Sequence, residues 1–204
     1  MLGLDPQTLL WSFGALLIAA TVHEFAHAYV ADRLGDDTPR RQGRLTLNPI
    51  AHLDLIGTLM ILLAGFGWAK PVEVNPRNFP DWRRGMLLVA LAGPLANVTV
   101  IFGLGVLIKL GALDTLPTTL QQFLLVTIWI NGVLAVFNLI PIPPLDGAKI
   151  LEGVLPAQHA WWLARWQPYG ILILIVLVYT GITGRILRPA VGALVYLGTG
   201  SRWF

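Results

Sequence analysis

The chain contains no cysteine. Disulfides and thiolate chemistry are therefore excluded, and any metal must be held by His, Asp or Glu. Charge is nearly as scarce. Only 12% of the 204 residues are charged, about half the share usual in soluble domains. That scarcity argues against a soluble enzyme, a disordered chain or a coiled coil. Long runs of Lys and Arg are also missing. The pI is about 9.6, but a net charge of +3 without a basic stripe beside aromatics implies no nucleic-acid partner. The first seven residues carry no positive charge, and the apolar run after them holds His23, Glu24 and His27. A cleaved signal peptide is therefore not expected.

Long apolar runs are abundant. Apolar residues make up 55% of the chain, and the mean hydropathy is +0.68. Residues 86–108 and 123–145 are each 23 residues without a charge, residues 166–184 are another 19, and residues 9–31 are 23 interrupted only by Glu24. About 20 apolar residues cross a bilayer, so the sequence predicts an all-α polytopic membrane protein. Its expected spans are 9–31, 86–108, 123–140 and 166–184. Residues 55–69, broken by Gly57, Gly65 and Gly67, are too short for a span and fit a re-entrant or interfacial segment. Residues 71–75, Pro-Val-Glu-Val-Asn, read as a short strand. The apolar tail 189–200 is expected to lie on the membrane or dip into it. No repeat or soluble module divides the chain, so residues 1–204 form one integral-membrane domain, with a core over about 9–155 and a C-terminal helix and tail over 156–204.

Basic residues set the orientation. If 55–69 does not cross, residues 33–84 lie on one side with eight of the fourteen Lys and Arg, and Lys149 and Arg165 return there to make ten. Lys109, Arg185, Arg188 and Arg202 remain on the other face. The positive-inside rule places residues 33–84 in the cytoplasm.

The chemistry concentrates in His23-Glu24-Phe25-Ala26-His27. Positions i and i+4 of a helix share a face, so both imidazoles can reach one ion. Glu24, beside the first ligand, can reach a water at that ion without ligating it. A zinc ion held this way brings a water pKa to about 7, and the Glu accepts the proton during attack on an amide. A structural polar cluster between helices is the plain alternative, but it leaves the metalloprotease spacing unexplained. Burying Glu24 in an otherwise uncharged span costs several kcal/mol unless something compensates it.

Two histidines leave a tetrahedral zinc one protein ligand short, with a further position kept for water. Candidates are His52, Asp54, Asp146 and His159. Asp146 follows Asn138-Leu-Ile-Pro141-Ile-Pro143-Pro144-Leu, where three prolines break the end of the third span. Irregular backbone at membrane depth is tolerated where it lines a cavity, and an acid there invites a cation. An Asp that only caps the next helix fits the local sequence equally well. Asn97 and Asn138 can bridge helices for about 0.6–2 kcal/mol each, or an amide N–H of either can stabilise an oxyanion. Gly93-Pro94 fits close helix packing and a kink. His159 stands beside Trp161 and Trp162, which suits an aromatic belt, and residues 72–75 could offer a strand edge to an extended substrate.

Three motifs in order, His23–His27, Gly93-Pro94-Leu95-Ala96-Asn97 and Asn138…Pro141…Pro143…Asp146-Gly147, resemble the site-2 protease family, zinc metalloproteases that cleave transmembrane substrates within the bilayer. Arg44-Leu-Thr-Leu-Asn48-Pro49, His52, Asp54, Gly57-Thr58 and Gly67-Trp68-Ala69-Lys70-Pro71-Val72 are similar to a compact prokaryotic branch. The resemblance implies a three-helix core with the zinc motif in its first helix. It further implies one zinc per chain on His23, His27 and Asp146, with Glu24 as general base and Asn138 and Asn97 at the catalytic centre. The chain departs from the family in showing no span before the zinc helix and no recognisable PDZ or CBS module.

The expected function is intramembrane zinc-dependent peptide hydrolysis, with transmembrane proteins as substrates and the lipid bilayer as surroundings. The expected location is the cell membrane, multi-pass, with the active site towards the cytoplasm; homo-oligomerisation stays open. The rival readings are a membrane transporter for zinc or protons and a non-catalytic scaffold.

Overall fold

The computed structural model describes residues 6–64, 67–156 and 165–201. Among the described residues, three helices are long and apolar enough to cross a membrane. They are α1 (Pro6–Arg33), α4 (Trp82–Lys109) and α5 (Thr118–Asn138). With 28, 28 and 21 residues at 1.5 Å per residue, they reach roughly 42, 42 and 32 Å, enough for a hydrocarbon core of about 30 Å. Each begins before the expected apolar run. Asp81 explains this for α4, because its carboxylate accepts from the N–H groups of Arg83 and Arg84 and so caps the first turn.

The three helices pack on one another along stripes spaced by four residues. On α1 the buried stripe is Ala15, Ala19, His23, His27 and Ala31. On α4 it is Gly85, Val89, Gly93, Asn97, Ile101 and Gly105. On α5 it includes Thr127, Asn131 and Ala135. Spacing by four keeps residues on one face, and small residues let helix backbones approach where lipid offers no hydrophobic drive. The polar members of these stripes therefore meet in the middle of the bundle.

Between α1 and α4 lie α2 (Thr38–Arg41), a 3-10 turn at Pro49–His52, α3 (Leu55–Ala64) and a second turn at Pro76–Asn78. With ten residues, about 15 Å, α3 is shorter than the hydrocarbon core. No strand occurs among the described residues. The strand read into residues 71–75 does not form, and side chains take two of its N–H groups. Val72 N–H donates to Glu24 Oε2 (3.2 Å) and Asn75 N–H to Asp36 Oδ2 (2.8 Å). Buried Arg44 ties the connection together by donating to the carbonyls of Ala51 and Lys70.

The expected fourth span over 166–184 is a bent pair. A 3-10 turn at Gln167–Tyr169 leads into α7 (Gly170–Tyr179), and α8 (Ile182–Thr199) leaves it at 80°. Gly181 adopts φ +72° at the bend, the left-handed region that glycine enters without a Cβ penalty. Together the two pieces are long and apolar enough to be one broken span. The apolar tail expected to lie on the membrane or dip into it is part of α8, which packs on α4 and α5. There Val191 and Val195 form a buried cluster with Ile101 and Ile128. A short helix, α6 (Asp146–Val154), packs on α4.

Asp36 fixes the connection to the end of α1. Fully buried, it accepts from Thr38 N–H and Oγ1, Asn75 N–H and Asn78 Nδ2. Burial alone would raise its pKa, but these hydrogen bonds outweigh it and hold the carboxyl below its ordinary 3.8. A lowered folded-state pKa gives stability that is present above the unfolded value and lost as pH falls through the folded one. Hydrogen exchange at residues 72–78 should therefore accelerate as pH falls below about 4, beyond the intrinsic pH effect. In Asp36→Asn that segment should already exchange faster at neutral pH, with little further acid response. Equal protection in both proteins at neutral pH would contradict the assignment.

Candidate metal centre

Helix periodicity places His23 and His27 one turn apart on the buried stripe of α1, and α6 delivers Asp146 to them from its first turn. Their Nε2 atoms lie 3.0 Å apart, and each is 3.1 Å from Asp146 Oδ2. All three side chains are buried, and they form the one such group among the described residues with metal-binding geometry. Asp146 Oδ1 faces Lys149 Nζ at 3.6 Å. Gly147 allows the approach. A Cβ there would stand 2.3 and 2.5 Å from the carbonyl oxygens of Leu139 and Ile140, so only glycine seats α6 against the end of α5.

The outer nitrogens fix the tautomers. His23 Nδ1 donates to Asn97 Oδ1 (2.7 Å) and His27 Nδ1 donates to the Val89 carbonyl (2.7 Å). Pro94 lies one turn beyond and lacks the N–H that would bond Ala90. With both Nδ1 atoms protonated, each neutral imidazole presents a bare lone pair at Nε2. Two imidazole nitrogens and one carboxylate oxygen then converge as three acceptors. Such a group repels itself unless a cation sits between its members. A tetrahedral ion with ligands at about 2.0–2.1 Å sets its donors roughly 3.3–3.4 Å apart, close to the separations here. The donor set fits zinc, which takes His and Asp readily, and the outer hydrogen bonds are those that orient metal-binding histidines.

Glu24, half-buried on the adjacent face of α1, stands beside the first histidine. Its Oε2 is held by Val72 N–H, which leaves Oε1 without that constraint. Arg44 is the nearby cation. Burial pulls its guanidinium below the ordinary value, against the charges of Glu24 and Glu73.

The remaining candidates stand outside the three-residue group. Asn97 is fully buried at the cluster and carries His23. Asn138 closes α5, its Nδ2 donating to Leu134 O (3.0 Å), one residue before the Leu139 carbonyl that Gly147 abuts. His52 is buried, with Nε2 donating to Thr46 O (2.8 Å), and its carbonyl accepts from Lys70 N–H. Asp54 accepts from Gly57 N–H (2.7 Å) in the first turn of α3. His159, Trp161 and Trp162 lie outside the described residues.

A family model described as Peptidase family M50 matches residues 103–179. "Putative zinc metalloprotease YwhC" of Bacillus subtilis (strain 168) is 44% identical over 87% of this chain and 84% of its own length. The chain belongs to peptidase family M50, the site-2 proteases. Rip2 of Mycolicibacterium smegmatis, named in the same terms, is 32% identical over 80% of the chain and 64% of its own length. "Zinc metalloprotease MJ0392" of Methanocaldococcus jannaschii is 26% identical over 97% and 51%. The chain thus spans most of YwhC, under two thirds of Rip2 and about half of MJ0392. No solved structure matches it significantly. Among M50 metalloproteases the expected ion is zinc, in keeping with the donor set found here.

Two residues of this M50 site escaped the sequence reading. Gly93 was read as a packing residue, yet a Cβ there would lie 2.5 Å from His27 Nε2 and 2.6 Å from His23 Nε2. Gly85, Asn97 and Gly105, small or polar residues at multiples of four from it on α4, were the available signal. Asn131 is the other, fully buried and bonded to Asn97. Gly93→Ala should weaken zinc binding by at least about tenfold, within the range for disturbed ligand support, as measured by chelator competition on the folded protein. Unchanged affinity would show that the histidines have room the geometry denies them.

Proposed function

We propose that this zinc metalloprotease of family M50 works inside the membrane, hydrolysing peptide bonds in transmembrane segments of protein substrates. The observation that carries the reading is the convergence of three acceptor atoms beside Glu24 on a helix built to cross a bilayer. His23 lies ten residues before Arg33, roughly 15 Å along α1, and His27 roughly 9 Å. The site therefore sits at hydrocarbon depth, nearer the Arg33 end, which the basic residues assign to the cytoplasm of a cell-membrane protein.

His23, His27 and Asp146 hold the ion. When bound, zinc would lower the pKa of a water and polarise the scissile carbonyl. Glu24 takes a proton from the attacking water as its oxygen bonds to the carbonyl carbon. It then delivers that proton to the leaving nitrogen as the C–N bond breaks. Val72 N–H steadies the carboxylate in a pose that leaves its other oxygen for this transfer. Asn138, at the end of α5 where α6 docks, supplies an amide N–H to the developing oxyanion. Both N–H bonds of Asn97 go to Ala19 and Asn131, so Asn97 positions His23 and has no donor left for substrate. Helices α1, α4 and α5 are the three-helix protease core, with α7 and α8 as a broken C-terminal span and α3 as a re-entrant segment.

The test is purified protein incubated with a panel of transmembrane substrates. Glu24→Gln should cut cleavage by about 10²–10⁴-fold, the usual contribution of a general base, while zinc content stays unchanged. Asp146→Ala should lose both zinc and cleavage. Full zinc-dependent cleavage by Glu24→Gln would overturn the mechanism, and unchanged zinc in Asp146→Ala would remove the third ligand.

A further inference from the structure

Behind the histidines runs a chain of amides that no step of hydrolysis uses. Asn131, on α5, donates from Nδ2 to the Thr127 carbonyl on its own helix (2.8 Å). That bond fixes which end of its amide faces outward, so its Oδ1 points to α4 and accepts from Asn97 Nδ2 (2.9 Å). The second N–H of Asn97 goes to the Ala19 carbonyl on α1 (2.9 Å), leaving Asn97 Oδ1 to accept from His23 Nδ1 (2.7 Å). Both asparagines are fully buried. Every partner has its required polarity, and the chain ties α1, α4 and α5 together at the level of the metal ligands.

The polarity matters because the Asn97 amide could, in principle, rotate by half a turn. Rotated, it would set its oxygen against two acceptors, Ala19 O and Asn131 Oδ1, and its NH₂ against His23 Nδ1. His23 would then carry its proton on Nε2, the atom that must ligate the ion. Asn131 doubles the penalty on that rotation. Burial in a membrane bundle makes each unmatched polar contact costly, since no water competes for it.

We infer that Asn131 is a positioning residue that locks the His23 tautomer through Asn97 and so sets the affinity of the site for zinc. The inference rests on the zinc reading above and assigns that site a support two residues removed from the ion. It makes Asn131 matter to metal binding although it touches neither metal nor substrate.

Zinc affinity of the purified full chain, measured by chelator competition, is the first readout. Asn131→Leu should raise the zinc Kd by about 10–100-fold, the range for lost outer support of a ligand, in protein whose circular dichroism shows folded helices. Asn131→Asp, neutral at this depth, keeps an acceptor for Asn97 and an O–H for Thr127 and should bind zinc nearly as the unsubstituted chain does. Equal affinity in folded Asn131→Leu, or an equal loss in both variants, would overturn the inference. The second readout needs no variant. Nitrogen chemical shifts of histidine-labelled, metal-free protein should show neutral His23 protonated on Nδ1; protonation on Nε2 would overturn the relay even if Asn131→Leu does not fold. Failure of the unsubstituted chain to bind zinc would instead reject the metal reading itself.

Discussion

Three lone pairs meet between α1 and the start of α6, two from imidazole nitrogens and one from a carboxylate, with separations of 3.0 and 3.1 Å. In water such a group would drift apart or pick up a proton. Here the bundle holds it in place, and the outer nitrogens already hold their protons against Asn97 and Val89. A cation between them suits that geometry in a low dielectric, where unpaired polar groups are expensive. The rest of the architecture follows from keeping these atoms together.

Helix packing does most of that work. Lipid gives helices no hydrophobic reason to associate, so close contact depends on small side chains and matched polar groups. Alanines flank the two histidines on the α1 stripe, and glycines punctuate the facing stripe of α4. Gly93 is the point where both requirements coincide, because the space a Cβ would fill is taken by imidazole. The polar connection between α1 and α4 completes the site from outside the bundle. Arg44 and Asp36 bind it at its two ends, and between them Val72 reaches Glu24.

Some of this could be read without coordinates. The His-Glu-x-x-His spacing maps directly onto one helix face, because the period of the helix is fixed. The three long spans follow from counting uncharged residues. Asp146 was different: local sequence left ligand and helix cap equally open, and the structure sets it in the first turn of α6, where Leu145 holds the cap position and no side chain caps the helix, with its carboxylate against the histidines. Asn131 carried no local signal at all, because its meaning comes from a partner 34 positions away. The bend at Gly181 also lay beyond a hydropathy count, which registers an apolar run and not its direction. His52 and Asp54 are the reverse case. Their types suit a metal, yet their hydrogen bonds serve the fold of the connecting segment.

The claim on which everything turns is the identity of the ligands, and X-ray absorption of the zinc-loaded protein reads them directly. A four-coordinate shell of nitrogen and oxygen at about 2.0–2.1 Å, with multiple scattering from two imidazoles, is the predicted result. A shell with three or more imidazoles, or six oxygens and no imidazole, would contradict the site built from His23, His27 and Asp146.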